Sequence, residues 1–193
     1  MQNPARTDIN IRSPRYLLAH TLGTCWHCRA STQLFALVVP PGHEALELDD
    51  EAQDAAGDDA RSETQNEAQS ETQNKSQNEA LAVDIWCAAT HHAFLFYIEF
   101  LPAVIQDRLK QFTQSYRLEF SEAAHGPYWA NHCERCGSLL DDHELFCEPE
   151  GAFLPTSEST AGAIHLLALD EAFEAAAAGY AYEPQFFDAM SRS

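Results

Sequence analysis

The chain of 193 residues has little basic charge and no long apolar run. Its two lysines, Lys75 and Lys110, and nine arginines face 30 Asp and Glu, which gives a formal charge of −19. A surface that binds nucleic-acid phosphates broadly needs Lys and Arg, so this composition argues against that class of protein. Apolar runs of about 18 residues are missing, and residues 1–6 precede no apolar stretch. We therefore expect no membrane-spanning helix, no secretory signal and a cytoplasmic location.

Sequence patterns of the common catalytic sites are also missing. The chain has no P-loop, no Gly-rich dinucleotide loop and no HExxH or GxSxG pattern. Cys87 with His91 or His132 would make a Cys–His pair, but no motif fixes a general base or an oxyanion hole. We therefore predict a protein that is not an enzyme. The alternative is a thiol-dependent enzyme that uses Cys87 or Cys147.

The acidic charge is concentrated in two blocks, and the first block has the composition of a linker. Residues 44–80 carry 12 acids, two bases and no aromatic residue, and residues 134–193 carry another 12 acids and two bases. Residues 62–69 (SETQNEAQ) and 70–77 (SETQNKSQ) form a polar tandem repeat, which cannot bury an apolar face to offset the entropy of ordering. We predict a single domain over residues 1–193, with 44–80 as a disordered, acidic, low-complexity insertion.

Hydrophobic patterns outside this insertion predict short strands. The strongest strand signal is the apolar run at residues 33–39, which Pro40 ends. Residues 81–88 and 93–100 are predicted to form a hairpin around the turn 90–92. Further strands are predicted at residues 15–19, 116–120 and 144–147, whereas the Ala-rich segment 171–178 has a helical composition.

Residues 102–113 are predicted to form one amphipathic helix. Pro102 suits the first turn of a helix, where its missing N–H costs nothing. The apolar residues that recur at helical spacing are Leu101, Val104, Ile105, Leu109 and Phe112. We expect this stripe to pack against the core.

Four of the six cysteines form two pairs with the spacing of metal-binding turns. Cys25 and Cys28 form the first CxxC pair, and Cys133 and Cys136, followed by Gly137, form the second. Two intervening residues let both sulfurs of a pair converge on one ion, and a following Gly adopts the left-handed backbone that such a turn requires. Four thiolates supply the soft tetrahedral ligand set that Zn²⁺ favours, so we predict a structural Zn²⁺ site.

The two pairs resemble the zinc knuckles of a zinc ribbon, with one knuckle on each of two β-hairpins. They are separated by 104 residues instead of about 15–20, and Arg29 stands where the first knuckle would have Gly. The resemblance therefore implies a split ribbon with a hairpin and a helix inserted. The order of elements, with the segments YWANHCERCG and EPEGAFLP, is similar to an uncharacterised group of bacterial zinc-ribbon proteins. That likeness implies a fold and no activity.

Other interpretations of the cysteines remain open. A thioredoxin-like redox pair at Cys25 and Cys28 would need a helix beginning at the first cysteine, but residues 30–32 lead into a predicted strand. A rubredoxin-like iron site would use the same four ligands. Two structural disulfides are disfavoured in a protein without a secretion signal.

A second metal site would need several of the remaining Cys and His side chains to converge. The candidates are Cys87, His91, His92, His143 and Cys147. We favour ordinary strand and turn positions for them. The acids that surround Cys147 in the sequence are expected to raise its pKa and to lower its reactivity.

Residues beside the two CxxC pairs also have two interpretations each. Trp26 and Trp129 are expected to cover the metal and shield the sulfurs, with a stacking or peptide-binding face as the alternative. His27 and His132 are expected to face solvent or to lie behind the ligands, because four cysteines complete the coordination shell. Residues 141–144 (DDHE) are predicted to form a solvated loop and not a hard-metal site.

The sequence thus predicts an α+β fold, in which a small antiparallel sheet surrounds a split zinc ribbon and carries one amphipathic helix. We expect a zinc-binding, non-enzymatic module that recognises a protein or peptide. We do not expect it to bind a membrane. The alternative is a nucleic-acid-binding ribbon with a local basic patch. The residues for such a patch are Arg12, Arg15, Arg29, Arg108, Arg117 and Arg135.

Overall fold

The computed structural model describes residues 9–47, 85–182 and 184–192. Within these ranges the strands are β1 (Ile11–Ser13), β2 (Tyr16–Thr24), β3 (Ser31–Val39), β4 (Glu44–Glu47), β5 (Ile85–Ala88), β6 (Ala93–Phe100), β7 (Tyr116–Ser121), β8 (Gly126–His132), β9 (Leu139–Leu140), β10 (His165–Leu169), β11 (Phe173–Tyr182) and β12 (Ser191–Arg192). The helices are α1 (Ala103–Leu109) and α2 (Glu158–Ala161). A π-helical turn spans His143–Cys147, and a 3₁₀ turn spans Phe187–Ala189.

All twelve strands belong to one branched sheet. Its main path runs β12-β10-β2-β3-β6-β11-β1-β4-β5, and β8 branches from β6 while also pairing with β7 and β9. The β10–β12 pair is parallel, so the sheet is mixed. The predicted α+β fold with a small antiparallel sheet is therefore wrong, because the protein is mostly β-strand. Segments whose sequence suggested a linker or a helix supply some of the additional strands.

Strand β3 lies at the centre of the sheet and is buried on both faces. Phe35, Leu37 and Val39 point into one hydrophobic cluster, which includes helix α1. Leu34, Ala36 and Val38 point into a second cluster, which includes Cys25 and Cys133. We call these the helix-side cluster and the cysteine-side cluster. Burial on both faces explains why this strand is a continuous apolar run and not an alternating one.

The predicted hairpin of residues 81–88 and 93–100 is wrong, although both segments contain a strand. β5 pairs with β4, whereas β6 pairs with β3, β8 and β11. Glu44–Glu47, the first four residues of the predicted insertion, form β4. Residues 48–80 of that insertion lie outside the described residues. These residues lie between β4 and β5 in the chain. Because the two strands are so far apart in sequence, local patterns could not predict that they pair.

The Ala-rich segment predicted to be helical forms strand β11, between β1 and β6. Helix preference is a weak tendency that tertiary contacts override, and the small side chains suit a closely covered strand. Gly179 shows how close this covering is, because a Cβ there would overlap the ring of Phe96. Residues 144–147 lie in a π-helical turn, so the strand predicted there is also wrong.

Helix α1 is confirmed near its predicted position, but its buried face is narrower than expected. Ile105 and Leu109 are buried, whereas Val104 and Phe112 are 62% and 39% exposed. Arg108 Nε donates to Glu171 Oε1 at 3.0 Å, which ties the helix to the loop between β10 and β11. Phe112 follows the end of the helix and lies at the surface.

Candidate metal centre

The four paired cysteines meet where two hairpin turns face each other. The first turn joins β2 to β3 and carries Cys25 and Cys28, and the second joins β8 to β9 and carries Cys133 and Cys136. Their Sγ atoms all lie within 4.8 Å of one another. The predicted convergence of these four thiols is therefore confirmed.

The two turns share one backbone pattern. In the first turn, Arg29 N donates to Cys25 O at 2.9 Å, and in the second, Gly137 N donates to Cys133 O at 2.8 Å. Arg29 and Gly137 both have a left-handed backbone, with φ of 61° and 75°. Arginine thus occupies the position that favours glycine, at a cost of about 1–2 kcal/mol. The departure noted at Arg29 does not change the turn.

The sulfur spacing suits a single tetrahedral ion. Cys25 Sγ lies 3.7 Å from Cys136 Sγ, and Cys28 Sγ lies 3.6 Å from Cys133 Sγ. A ZnS₄ tetrahedron with Zn–S bonds of about 2.3 Å has S–S edges of about 3.8 Å. Disulfides, at about 2.05 Å, do not match these separations, and all four cysteines are free. The four thiols are therefore close enough to hold one metal ion.

The backbone around the sulfurs favours the thiolate form of the second pair. The backbone N–H of Cys136 lowers the pKa of Cys133. Ser138, whose Oγ lies 3.3 Å from Cys136 Sγ, lowers the pKa of Cys136 to about 5, and His27 contributes in the same direction. The pKa of Cys28 is instead raised to about 11, in part by the neighbouring thiols, so the preference for thiolate belongs to the second turn alone.

Hydrogen bonds hold the two turns together beside the sulfurs. Glu134 N donates to Thr32 Oγ1 at 3.0 Å, and Trp26 Nε1 donates to Leu139 O at 3.2 Å. Asn131, which is 1% exposed, binds both backbone groups of Phe35 at 2.8 and 2.9 Å. Each bond joins the first hairpin to the second. Sequence reasoning missed Asn131, because its partner lies 96 residues away.

The tryptophan neighbours are placed differently from expectation, whereas the two histidines stay outside the cluster of four sulfurs as expected. Trp129 lies in the helix-side cluster against Tyr116, so it does not cover the sulfurs. Trp26 is 54% exposed and bonds to the second hairpin. His132 is buried, with Nδ1 3.0 Å from Ala130 O, and burial lowers its pKa. Only Trp26 and His27 remain beside the sulfurs among these four predicted neighbours.

The remaining Cys and His candidates do not assemble a second metal site within the described residues. His92 stacks on Phe187 with ring centroids 3.8 Å apart. His143 Nδ1 lies 3.5 Å from Glu148 Oε1 at the surface. Cys147 as a whole residue is exposed. Partial burial of its Sγ, together with nearby carboxylates, raises the pKa of its thiol. The surroundings of Cys147 are thus consistent with the raised thiol pKa and low reactivity that we expected.

Two aspartates expected in a solvated loop instead form a buried polar cluster. Asp142 is buried and accepts a bond from Tyr97 N at 2.7 Å, while its Oδ1 has no hydrogen-bond partner. Asp141 accepts bonds from the hydroxyls of Tyr97 and Tyr128, both at 3.1 Å. The prediction of a solvated loop is therefore wrong at Asp142. No local pattern could have shown this, because the partners come from β6 and β8.

Burial of Asp142 should make the stability of the protein depend on pH. Burial raises the pKa of this carboxyl from 3.8 to about 7, so the folded state holds its proton more tightly than the unfolded state does. Stability from this group is then full below about pH 4 and is lost as the pH rises towards 7. Asp142→Asn removes the charge at every pH. The unfolding free energy of the variant should therefore exceed that of the parent by an amount that grows by about 2–4 kcal/mol from pH 5 to pH 8.

Urea unfolding at the two pH values measures this gain. Asp188→Asn, at a fully exposed carboxylate, is the matched control and should change nothing. An equal difference between parent and Asp142→Asn at both pH values would contradict the prediction.

Comparison of the chain with protein-family models, with curated proteins and with solved structures found no match. Within the part of the chain that the structure describes, no helix has the length and apolar character needed to cross a membrane.

Proposed function

We propose that the four cysteines bind one structural Zn²⁺ that clamps the two hairpins together. The supporting observation is that two turns with the same backbone hydrogen bond bring their sulfurs within 3.6 and 3.7 Å of each other. Four thiolates with no open position form a closed site, which is typical of structural zinc and leaves no place for a substrate. Such thiolates need a reducing compartment, which fits the cytoplasmic location that we propose.

We further propose that the clamped domain is a non-enzymatic module for protein or peptide recognition. A groove of about 520 Å³ lies beside the second turn, between the end of helix α1 and the start of β7. Its wall includes Phe112, Arg117, Cys133 and Glu134. An exposed aromatic side chain in a concave surface is the kind of residue that anchors a peptide. Strand β7 continues from the groove and exposes Leu118 and Phe120.

Two cations of this groove are already paired with acids, which weakens the nucleic-acid alternative. Lys110 Nζ lies 2.8 Å from Asp107 Oδ1, and Arg117 Nη2 lies 3.7 Å from Glu119 Oε2. A phosphate would have to compete with these carboxylates in a chain of net charge −19. The raised pKa of Cys147 likewise weakens the thiol-enzyme alternative in the form that uses Cys147.

Peptide selection against the zinc-loaded domain tests the recognition module. We expect selected peptides to lose at least about tenfold in affinity with Phe112→Ser, because removing an aromatic anchor costs about 1.4 kcal/mol or more. Fluorescence anisotropy of a labelled peptide measures the change. Val104→Ser is the matched control, since Val104 is exposed on helix α1, which ends just before Phe112 in the chain, but does not line the groove.

Two outcomes would contradict this proposal. Peptides that bind both variants equally would place recognition elsewhere on the surface. Binding of random single-stranded oligonucleotides at low salt, with a steep loss as salt rises, would favour the nucleic-acid alternative.

A further inference from the structure

A second pocket lies at the opposite end of strand β2 from the metal centre. Cys25 follows the last residue of β2, whereas Arg15 and Tyr16 at its start line a pocket of about 260 Å³. Nine strand residues separate the two places by about 30 Å. The lining residues that matter here are Arg15, Leu17, His92, Leu166, Ala168 and Arg192. It shares no residue with the metal centre or with the groove beside it.

The floor of this pocket is apolar because of the strand register. Leu17 pairs with Ala168, and Leu166 stands two residues before Ala168, so all three point to one face of the sheet. Strand β12 pairs with β10 only at His165 and Leu166 within the described residues. The sheet edge beyond Leu166 is thus left without a neighbouring strand there, which leaves room for the pocket.

Cationic side chains stand around the apolar floor. Arg192 lies opposite Leu166 in the β10–β12 register, and Arg15 lies two residues before Leu17. Both arginines are therefore on the same face of the sheet as the pocket floor. The ring of Phe187 orients two lining groups: the His92 ring stacks on it at 3.8 Å, and the Arg192 guanidinium lies 5.5 Å from its centroid.

Two features of charge favour an anion in this pocket. Burial lowers the pKa of His92, so the positive charge at neutral pH comes from Arg15 and Arg192. Asp188, whose side chain is fully exposed, has Oδ1 3.9 Å from Arg192 Nη2. Glu171 Oε1 accepts from the hydroxyl of the lining residue Tyr16 at 2.9 Å, and Arg108 Nε neutralises this carboxylate at 3.0 Å. Screening over about 8 Å at physiological salt keeps the acidic charge elsewhere on the chain from cancelling these arginines.

We propose that this pocket binds a small organic anion, a site that goes beyond the zinc clamp and the recognition groove. The carboxylate or phosphate of the ligand lies against Arg15 and Arg192, and its apolar body covers Leu17, Leu166 and Ala168. A volume of about 260 Å³ is just below the about 300 Å³ at which pockets for drug-sized ligands begin. The ligand is therefore small, of the size of an aromatic monocarboxylate.

Titration of the full, zinc-loaded chain with sodium benzoate tests the proposal. At an ionic strength of about 150 mM, where this screening holds, and at neutral pH, we expect saturable NMR shifts at the amides of Leu17, Leu166 and Arg192, with millimolar affinity. Arg192→Gln should weaken binding about tenfold or more, the effect of losing about 1.4 kcal/mol. Arg12→Gln, on strand β1 far along the sheet, is the matched control and should bind as the parent does.

The neutral isostere benzamide and inorganic phosphate provide the other arms of the experiment. Both should bind at least about tenfold more weakly than benzoate, because benzamide lacks the charge and phosphate lacks the apolar body. The proposal is overturned by any of three results: no saturable shift with benzoate, equal affinity in Arg192→Gln, or equal affinity for either control ligand. None of these results would bear on the zinc clamp, which has no residue in this pocket.

Discussion

Replacing Cys133 by serine is expected to empty the metal centre and to separate the two hairpins that it joins. Cys133 is buried, and its Sγ lies 3.6 Å from Cys28 Sγ, so the variant removes one of four converging thiolates. Elemental analysis should find one zinc per chain in the parent and little in the variant. The same loss should follow treatment of the parent with a strong chelator.

The expected loss of stability is large because the metal closes a long loop. Structural zinc sites contribute about 10–16 kcal/mol of apparent binding free energy. Closing the loop of 104 residues between Cys28 and Cys133 costs about 4 kcal/mol, so the metal term dominates. We expect Cys133→Ser to lower the free energy of unfolding by about 5 kcal/mol or more, a large part of the stability of an ordinary domain.

Hydrogen exchange should show where the loss is concentrated. The helix-side cluster contains none of the four cysteines, so the amides of β6 and β11 should remain the slowest to exchange, although the lower global stability speeds their exchange too. The amides that close the two turns should exchange much faster, because the metal fixes the turns. They are those of Cys25, Arg29, Cys133 and Gly137.

Cys147→Ser is the matched control for this experiment. Cys147 is a free, exposed cysteine that lies outside the cluster of four. Its variant should keep the zinc content, the free energy of unfolding and the exchange pattern of the parent. Unchanged zinc content and unchanged stability in Cys133→Ser would show that the cysteines do not clamp the fold.

The cysteine site could be predicted from the sequence because most of its geometry is local. Each CxxC turn brings two sulfurs together through bonds that span only five residues, such as Arg29 N to Cys25 O. The convergence of four thiols then needed only the assumption that two such turns meet. The grouping with zinc ribbons goes further than this geometry and stays a prediction from the sequence.

Strand positions were partly predictable, but strand partners were not. The run at 33–39 and the segment Ala93–Phe100 are strands because their apolar residues fit a buried sheet. The partner of a strand depends on contacts distant in sequence, which periodicity does not encode. Residues 48–84 separate β4 from β5, so the local rule that neighbouring strands pair gave the wrong hairpin. The strand at Phe173–Tyr182 was missed because alanine has the highest preference for helices, a tendency that pairing with β1 and β6 overrides.

Asn131→Leu is expected to have the second largest effect on stability. β6 pairs with β3 only over Leu37–Val39, which leaves the backbone of Phe35 without a strand neighbour on that side among the described residues. The Asn131 amide takes that place, accepting from Phe35 N at 2.8 Å and donating to Phe35 O at 2.9 Å. Leucine has a similar size but would leave two buried backbone groups unpaired. At about 1–3 kcal/mol for each group, we expect a loss of about 2–6 kcal/mol in urea unfolding.

The chain offers a matched comparison for this prediction in Asn10. Its amide makes the same pair of bonds to the backbone of Ala177, at 2.8 and 3.0 Å, but the site is only partly buried. Water can replace the lost bonds there, so Asn10→Leu should cost about 1 kcal/mol or less. The difference between the two variants then measures burial and not the loss of an amide as such. Equal losses in the two variants would mean that the Asn131 amide does not substitute for a missing strand. The link between β3 and the second hairpin would then depend on the metal and the turn contacts.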